Sequence, residues 1–223
     1  IFPNFKLLIT GDGRVANGAL ELLSQTNIMQ ISKHEYLNSE IDKPVFCNLE
    51  TCDYISHPDK DDFNLNHFIK YPKEYLSSAL PYLKLTDVFV SAHYWDPASP
   101  KIFEKNQLNE LKKLKVIGDI TCDVDGSVPT TTKSTSIKEP FFYLDKTTMK
   151  ESKKSENTIG IMAVDNLPSE LPRESSLEFG DGIVENVLPF LIEKDDGRIL
   201  NATITKEGYF LEKYSYLNNY ISS

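Results

Sequence analysis

The sequence predicts an α/β fold: a mostly parallel, doubly wound sheet flanked by helices, closed by a C-terminal hairpin and helix. Three observations carry this reading. Short apolar runs recur along the chain at residues 6–10, 27–31, 44–49, 88–90, 116–120 and 157–165. Between them lie stretches with helical spacing, beginning with Val15, Ala16, Ala19, Leu20, Leu22 and Leu23. The first run, the first helix and the second run together make a βαβ pattern, which implies parallel pairing.

Taken in order, residues 53–70 are polar and rich in Asp and Asn, and read as an insertion or long loop. Residues 71–83 read as a helix, with Pro72 in its first turn. Val88, Phe89 and Val90 form a central strand that ends in the cluster His93, Tyr94, Trp95. Residues 106–114 are amphipathic. Ser, Thr, Gly126 and Pro129 then dominate residues 121–137, which must be mostly loop. A long helical pattern fills 167–193, and the tail reads as a short hairpin over Gly208 followed by a helix. The expected division is a dinucleotide-binding unit over 1–195 and the hairpin and helix over 196–223.

Composition bounds the partners. With 223 residues and a formal net charge of −9, attraction to nucleic acid or to an anionic membrane is disfavoured, and small molecules are the expected ligands. No apolar run approaches the ~20 residues that span a bilayer. The opening residues lack the basic region of a signal peptide. Cys47, Cys52 and Cys122 are odd in number and lack metal-ligand spacing, so reduced thiols in the cytoplasm are expected.

The chemistry concentrates at strand ends. Gly11 and Gly13 lie between the first strand and the first helix. There the first glycine of a dinucleotide fingerprint makes the tight turn, and the second lets backbone approach a pyrophosphate at the helix N-terminus. Ala16 stands where the third glycine is usual. The fingerprint expects a ribose-binding acid about 20 residues on. That count lands on residues 30–34, which hold no acid but do hold Ser32 and Lys33, a pair suited to a 2′-phosphate. NADP(H) is therefore favoured, with NAD(H) the alternative, and a solvated surface lysine is the plain reading of Lys33. His93, Asp119 and Asp165 occupy three further strand ends, where open α/β sheets bind ligands. A calcium loop at Asp119, Asp123, Asp125 and Gly126 fails because Thr121 and Thr132 stand where acids are needed. His57, Asp61, Asp62 and His67 match no metal spacing and read as a solvated loop.

The blocks GDGRVANGAL, SAHYWD, GDITCDVDGS, STSIKEPFFYLD and MAVDNLPSELPRESSLEFGD together resemble the cofactor-binding half of the lysine-forming saccharopine dehydrogenases, especially the lysine–2-oxoglutarate reductase portion of bifunctional lysine-degrading enzymes. The resemblance runs from Gly11 to the tail and is weakest over 24–52. It implies a Rossmann-like domain related to alanine dehydrogenase and the transhydrogenase nucleotide domain. The implied reaction is the condensation of lysine with 2-oxoglutarate and hydride reduction of the imine to saccharopine. By motif, Gly11, Gly13, Arg14 and Val15 would face the pyrophosphate, and Tyr94, Ile120 and Leu167 would line the nicotinamide side. Asp165 would face substrate across an interdomain cleft. The family's acid–base lysine and histidine lie in an N-terminal domain, which is expected to be missing from this chain. A cofactor-binding module without turnover and an amino-acid dehydrogenase with another substrate stay open as alternatives.

Overall fold

The computed structural model describes residues 3–220, and the last residue of the expected tail helix, Ile221, lies outside them. The chain divides into two compact units, residues 1–166 and 167–223. The division precedes the long 167–193 helical stretch, whereas the sequence suggested a boundary at 195/196.

The first unit is built on a seven-stranded sheet. Its strands are β1 (Lys6–Thr10), β2 (Met29–Gln30), β3 (Val45–Leu49), β6 (Val88–Ser91), β7 (Val116–Asp119), β8 (Phe142–Asp145) and β9 (Thr158–Met162). Their order across the sheet is β2-β3-β1-β6-β7-β9-β8. All pairings are parallel except the antiparallel β8–β9 edge. The fold is thus the Rossmann-like α/β class expected. One detail departs from the common order: β3, not β2, sits beside β1, and β2 is pushed to the edge.

Alternation along β1 explains how two layers are covered. Leu7 and Ile9 pack on one face with Ala16, Ala19, Leu20 and Leu23 of α1 (Arg14–Ser24). Leu8 packs on the other with Tyr36, Tyr54, Leu83 and Phe103. The buried runs Leu7–Ile9 and Val45–Cys47 are continuous because both faces are covered, as a parallel sheet requires.

Several expectations are corrected. Residues 53–70 are no mere loop: α3 (Thr51–Tyr54), β4 (Ile55–Ser56) and α4 (Leu65–Lys70) form there, and β4 pairs with β5 (Leu76–Ser77). Tyr54, Ile55 and Tyr75 are buried, so this polar-looking segment carries its own share of the core. The helix expected over 71–83 is a 3₁₀ turn at Pro72–Glu74, then β5, then α5 (Leu80–Leu83). Pro81 sits in the first turn of α5, and Ser77 Oγ donates to Ile102 O at 2.6 Å. Also unforeseen were β8 and α2 (Lys33–Asn38), which Ser32 caps.

The second unit contains α6 (Pro172–Asn186), α7 (Leu188–Ile192), α8 (Arg198–Ala202) and the hairpin β10 (Thr205–Lys206)/β11 (Tyr209–Phe210). The tail is a 3₁₀ stretch, Glu212–Tyr220, interrupted at Tyr214, rather than an α-helix. None of its described residues is buried.

Candidate functional site at the carboxyl edge of the sheet

Register fixes the site. Thr10 aligns with Leu49 on β3 and with Ser91 on β6, and Ser91 aligns with Asp119 on β7. Gly11, Glu50, Ala92 and Ile120 are therefore the first residues beyond four adjacent strands. This row straddles β1, where connections leave in opposite directions along the sheet, the position at which open α/β sheets bind ligands.

Gly11 is buried at φ +126°, and its amide donates to Leu49 O at 2.9 Å. A Cβ there would sit 2.5 Å from Ala92 O, so only glycine lets β1 turn against the β6 exit. Gly13 is different. It is the N-cap of α1 with ordinary φ, it is exposed, and a Cβ would meet nothing within 4 Å. The fold does not demand glycine at position 13. Arg14 and Val15 come next in the first turn, both exposed.

Between the glycine loop, α3, α4 and the β6 exit lies a cavity of about 570 Å³ whose walls include Asp12, Thr51, Tyr54, Phe68, His93, Tyr94 and Trp95. Tyr94 is 90% exposed although it comes just after a central strand, so it fills no core. His93 is buried. Its Nδ1 lies 2.8 Å from Thr10 Oγ1, which has no other hydrogen bond among the described residues. Ser91 Oγ lies 3.5 Å from the same nitrogen, and which partner donates follows the ring tautomer. Nε2 has no partner. Burial lowers the His93 pKa to about 4, so the ring is neutral at physiological pH. Asn48 Oδ1, beside the glycine loop, is also unpaired, while its Nδ2 donates to Gly11 O at 3.2 Å. Of these two residues, His93 lines the cavity.

Asp119 is fully buried at the end of β7. Desolvation raises its pKa against the opposing effect of the Thr121, Thr131 and Ser91 hydroxyls. Thr121 Oγ1 and Thr131 Oγ1 each donate to it at 2.6 Å, so this carboxylate ties the 121–137 loop to the sheet. Ile120 is half-buried against the α1 layer.

The other expected site residues lie elsewhere. Asp165 is exposed and borders a separate concavity of about 390 Å³ with Lys133, Thr135, Glu139 and Glu151. Leu167 opens the second unit. Ser32 and Lys33 are already engaged. The Ser32 hydroxyl donates to Glu35 Oε2 at 2.7 Å in a capping box, and Lys33 Nζ is 2.6 Å from Asp53 Oδ2. His57 and His67 do meet, edge to face near Tyr75 with Glu74 at 3.5 and 3.7 Å, and Lys60 Nζ lies 3.0 Å from His67 Nε2. Thr10, Asn48, Thr51 and Tyr54 were not singled out from sequence. Their signal was their position immediately beside the glycine loop or just past the strand that pairs with β1, which only the strand order reveals.

Among the described residues no helix is long and apolar enough to cross a membrane. Comparison with curated proteins finds alpha-aminoadipic semialdehyde synthase of Rattus norvegicus at 24% identity, over 94% of this chain and 26% of that protein. The Arabidopsis thaliana protein of the same name is 28% identical, over 94% of this chain and 22% of that protein. The lysine-forming, NAD(+)-named saccharopine dehydrogenase of Schizosaccharomyces pombe is 24% identical, over 64% of this chain and 38% of that protein. The chain thus spans about a quarter of the length of the two synthases. Residues 66–213 match the family described as alanine dehydrogenase/PNT, C-terminal domain, and the chain belongs to that family.

Proposed function

We propose that this chain is the NAD(P)(H)-binding part of an oxidoreductase that condenses the side-chain amine of lysine with 2-oxoglutarate and reduces the imine to saccharopine, or runs that reaction in reverse. The observation that carries the cofactor reading is the strand-end row. A glycine that the fold requires precedes one that the fold does not require, beside a cavity lined by a histidine whose Nε2 is unpaired. The names of the relatives support the substrate assignment.

The residues present fit a dinucleotide. Gly13, Arg14 and Val15 offer exposed backbone and positive charge at the N-terminus of an eleven-residue helix, the arrangement that holds a pyrophosphate. When bound, the cofactor supplies or accepts the hydride. The protein's part is to bind, orient and exclude water. His93 adds a neutral ring to the cavity wall, while Tyr54, Phe68, Tyr94 and Trp95 supply apolar faces for planar rings. In this reading Ile120 and Leu167 line the nicotinamide side, and Asp165 orients a substrate ammonium group. The acid–base pair comes from a further N-terminal domain.

The test is cofactor oxidation by the native full-length protein with lysine and 2-oxoglutarate. Turnover that needs both substrates supports the assignment. Cofactor binding with no turnover on these two, but turnover on another amino acid, reassigns the substrate. The compartment, expected to be the cytoplasm, is to be read by fractionation, because the rat relative carries "mitochondrial" in its name.

A further inference from the structure

Leu65, Phe68 and Ile69 of α4 line the large cavity. His67 of the same helix does not line it and joins a polar cluster instead, with the 57–60 turn that follows β4 and the 3₁₀ turn Pro72–Glu74. The titratable groups facing His67 are Lys60 from the first turn, Glu74 from the second, His57 from the end of β4, and the phenols of Tyr71 and Tyr75. Lys70 Nζ lies 5.2 Å from the Tyr71 ring centroid.

The donors and acceptors of this cluster assign its protons. Lys60 Nζ is 3.0 Å from His67 Nε2, and an ammonium only donates, so Nε2 offers its lone pair and the ring hydrogen is on Nδ1. Nδ1 then donates to Tyr75 Oη at 3.1 Å, and the Tyr75 hydroxyl donates to Asn64 O at 3.3 Å. His57 is the reverse. Its Nδ1 accepts from the Asp59 amide at 3.1 Å, so Nε2 carries the hydrogen, 3.5 Å from Glu74 Oε2. A metal held by the two rings and Glu74 is thereby disfavoured, because the His57 nitrogen nearest the carboxylate has no free lone pair. The cation that His67 Nε2 meets is the chain's own lysine. Glu74 Oε2 waits 3.7 Å from that same nitrogen, beyond hydrogen-bond length.

We propose that His67 is a two-position pH switch built into the helix that walls the cavity. Neutral, it accepts from Lys60 and ties α4 to the 57–60 turn. Protonated, its Nε2–H meets the Lys60 ammonium donor to donor and cation to cation, so it gives up Lys60 and closes on the Glu74 carboxylate, and the turn is released from α4. The proton comes from solvent, which reaches the 28% of the side chain that is exposed. Phe68, the next residue, packs on Tyr75 with ring centroids 5.0 Å apart and lines the cavity, so the exchange of partners acts on the wall, whatever the cavity holds.

The experiment is hydrogen exchange of the protein from pH 8 to pH 5, corrected for the intrinsic pH dependence of amide exchange and read over residues 57–64, together with the ¹⁵N shifts of the His67 ring. At pH 8 the shifts are expected to report the hydrogen on Nδ1. Protection is expected to fall roughly two- to fivefold as the pH drops, the scale of one exposed charge contact. Glu74→Gln should move the step to lower pH by removing the carboxylate that favours the imidazolium, and Lys60→Met should move it to higher pH and shrink it. His67→Gln should abolish it. A ring hydrogen on Nε2 at pH 8, protection that ignores pH, a step that survives His67→Gln, or shifts of opposite sign in the two charge variants would each overturn the proposal.

Discussion

The β2 and β3 exits are chemically similar segments with different fates. Each leads into a short helix through a reciprocal hydrogen-bond pattern, Ser32 with Glu35 after β2 and Glu50 with Asp53 after β3. They are bound to each other through the Lys33–Asp53 ion pair. Yet β3 ends level with the glycine loop and β2 does not. Position in the sheet, rather than count along the chain, decides which exit meets a ligand at the glycine loop. Gly11 and Gly13 repeat the lesson on a smaller scale: two glycines one residue apart, one required by the fold and the other spare.

Substitutions that separate these roles sharpen the comparison. The largest effect is expected for Gly11→Ala. Left-handed φ and a Cβ 2.5 Å from Ala92 O together cost at least about 3 kcal/mol, enough to threaten folding. Chemical denaturation reads it, and a variant as stable as the parent would break the assignment of Gly11 to the turn.

Next comes the pH dependence carried by His93. Its folded pKa of about 4 lies below the unfolded value near 6.5, so the unfolded chain binds the extra proton between those limits. Stability from this group is present above pH 6.5 and is lost as pH falls toward 4, by about 2 kcal/mol between pH 7 and pH 5. His93→Gln should flatten that part of the denaturation profile. An unchanged slope would mean that the ring is not buried neutral.

Asp119→Asn should cost about 1–3 kcal/mol, because an amide cannot accept from the Thr121, Thr131 and Ser91 hydroxyls as a carboxylate does. Hydrogen exchange would localise the loosening to residues 121–137, and loss spread evenly through the sheet would contradict the anchoring role. Gly13→Ala should change stability by no more than about 1 kcal/mol, since the methyl meets open space, while weakening dinucleotide binding. Equal binding by variant and parent would remove Gly13 from the cradle. Lys33→Ala is expected to cost least, under about 1 kcal/mol, because the lysine side chain is 42% exposed.

Much of this was legible without the fold. The buried strands declared themselves because a sheet covered on both faces leaves continuous apolar runs, as in KLLIT and TIGIM. The glycine turn and the aromatic cluster after β6 were visible because each is an exception to a strong local pattern. Strand order was not. The β2 segment is two residues long and solvent-exposed, so nothing in Met29–Gln30 announces whether it lies beside β1 or at the edge. The elements over 51–77 were hidden because their buried side chains, Tyr54, Ile55 and Tyr75, are scattered among polar residues with neither period. In the second unit, Leu177, Phe179, Val184 and Leu191 are exposed, so its apolar pattern gave a helix without giving what it packs on.

Trp95 is the single tryptophan of the chain and lines the cavity, so its fluorescence reports directly on the claim that a dinucleotide binds at the carboxyl end of β1. Titrating the chain with NADH while monitoring Trp95 emission should give saturable, one-to-one quenching that Gly13→Ala weakens. Absence of binding, or saturable binding that leaves Trp95 emission unchanged, would contradict the assignment of this cavity to the cofactor.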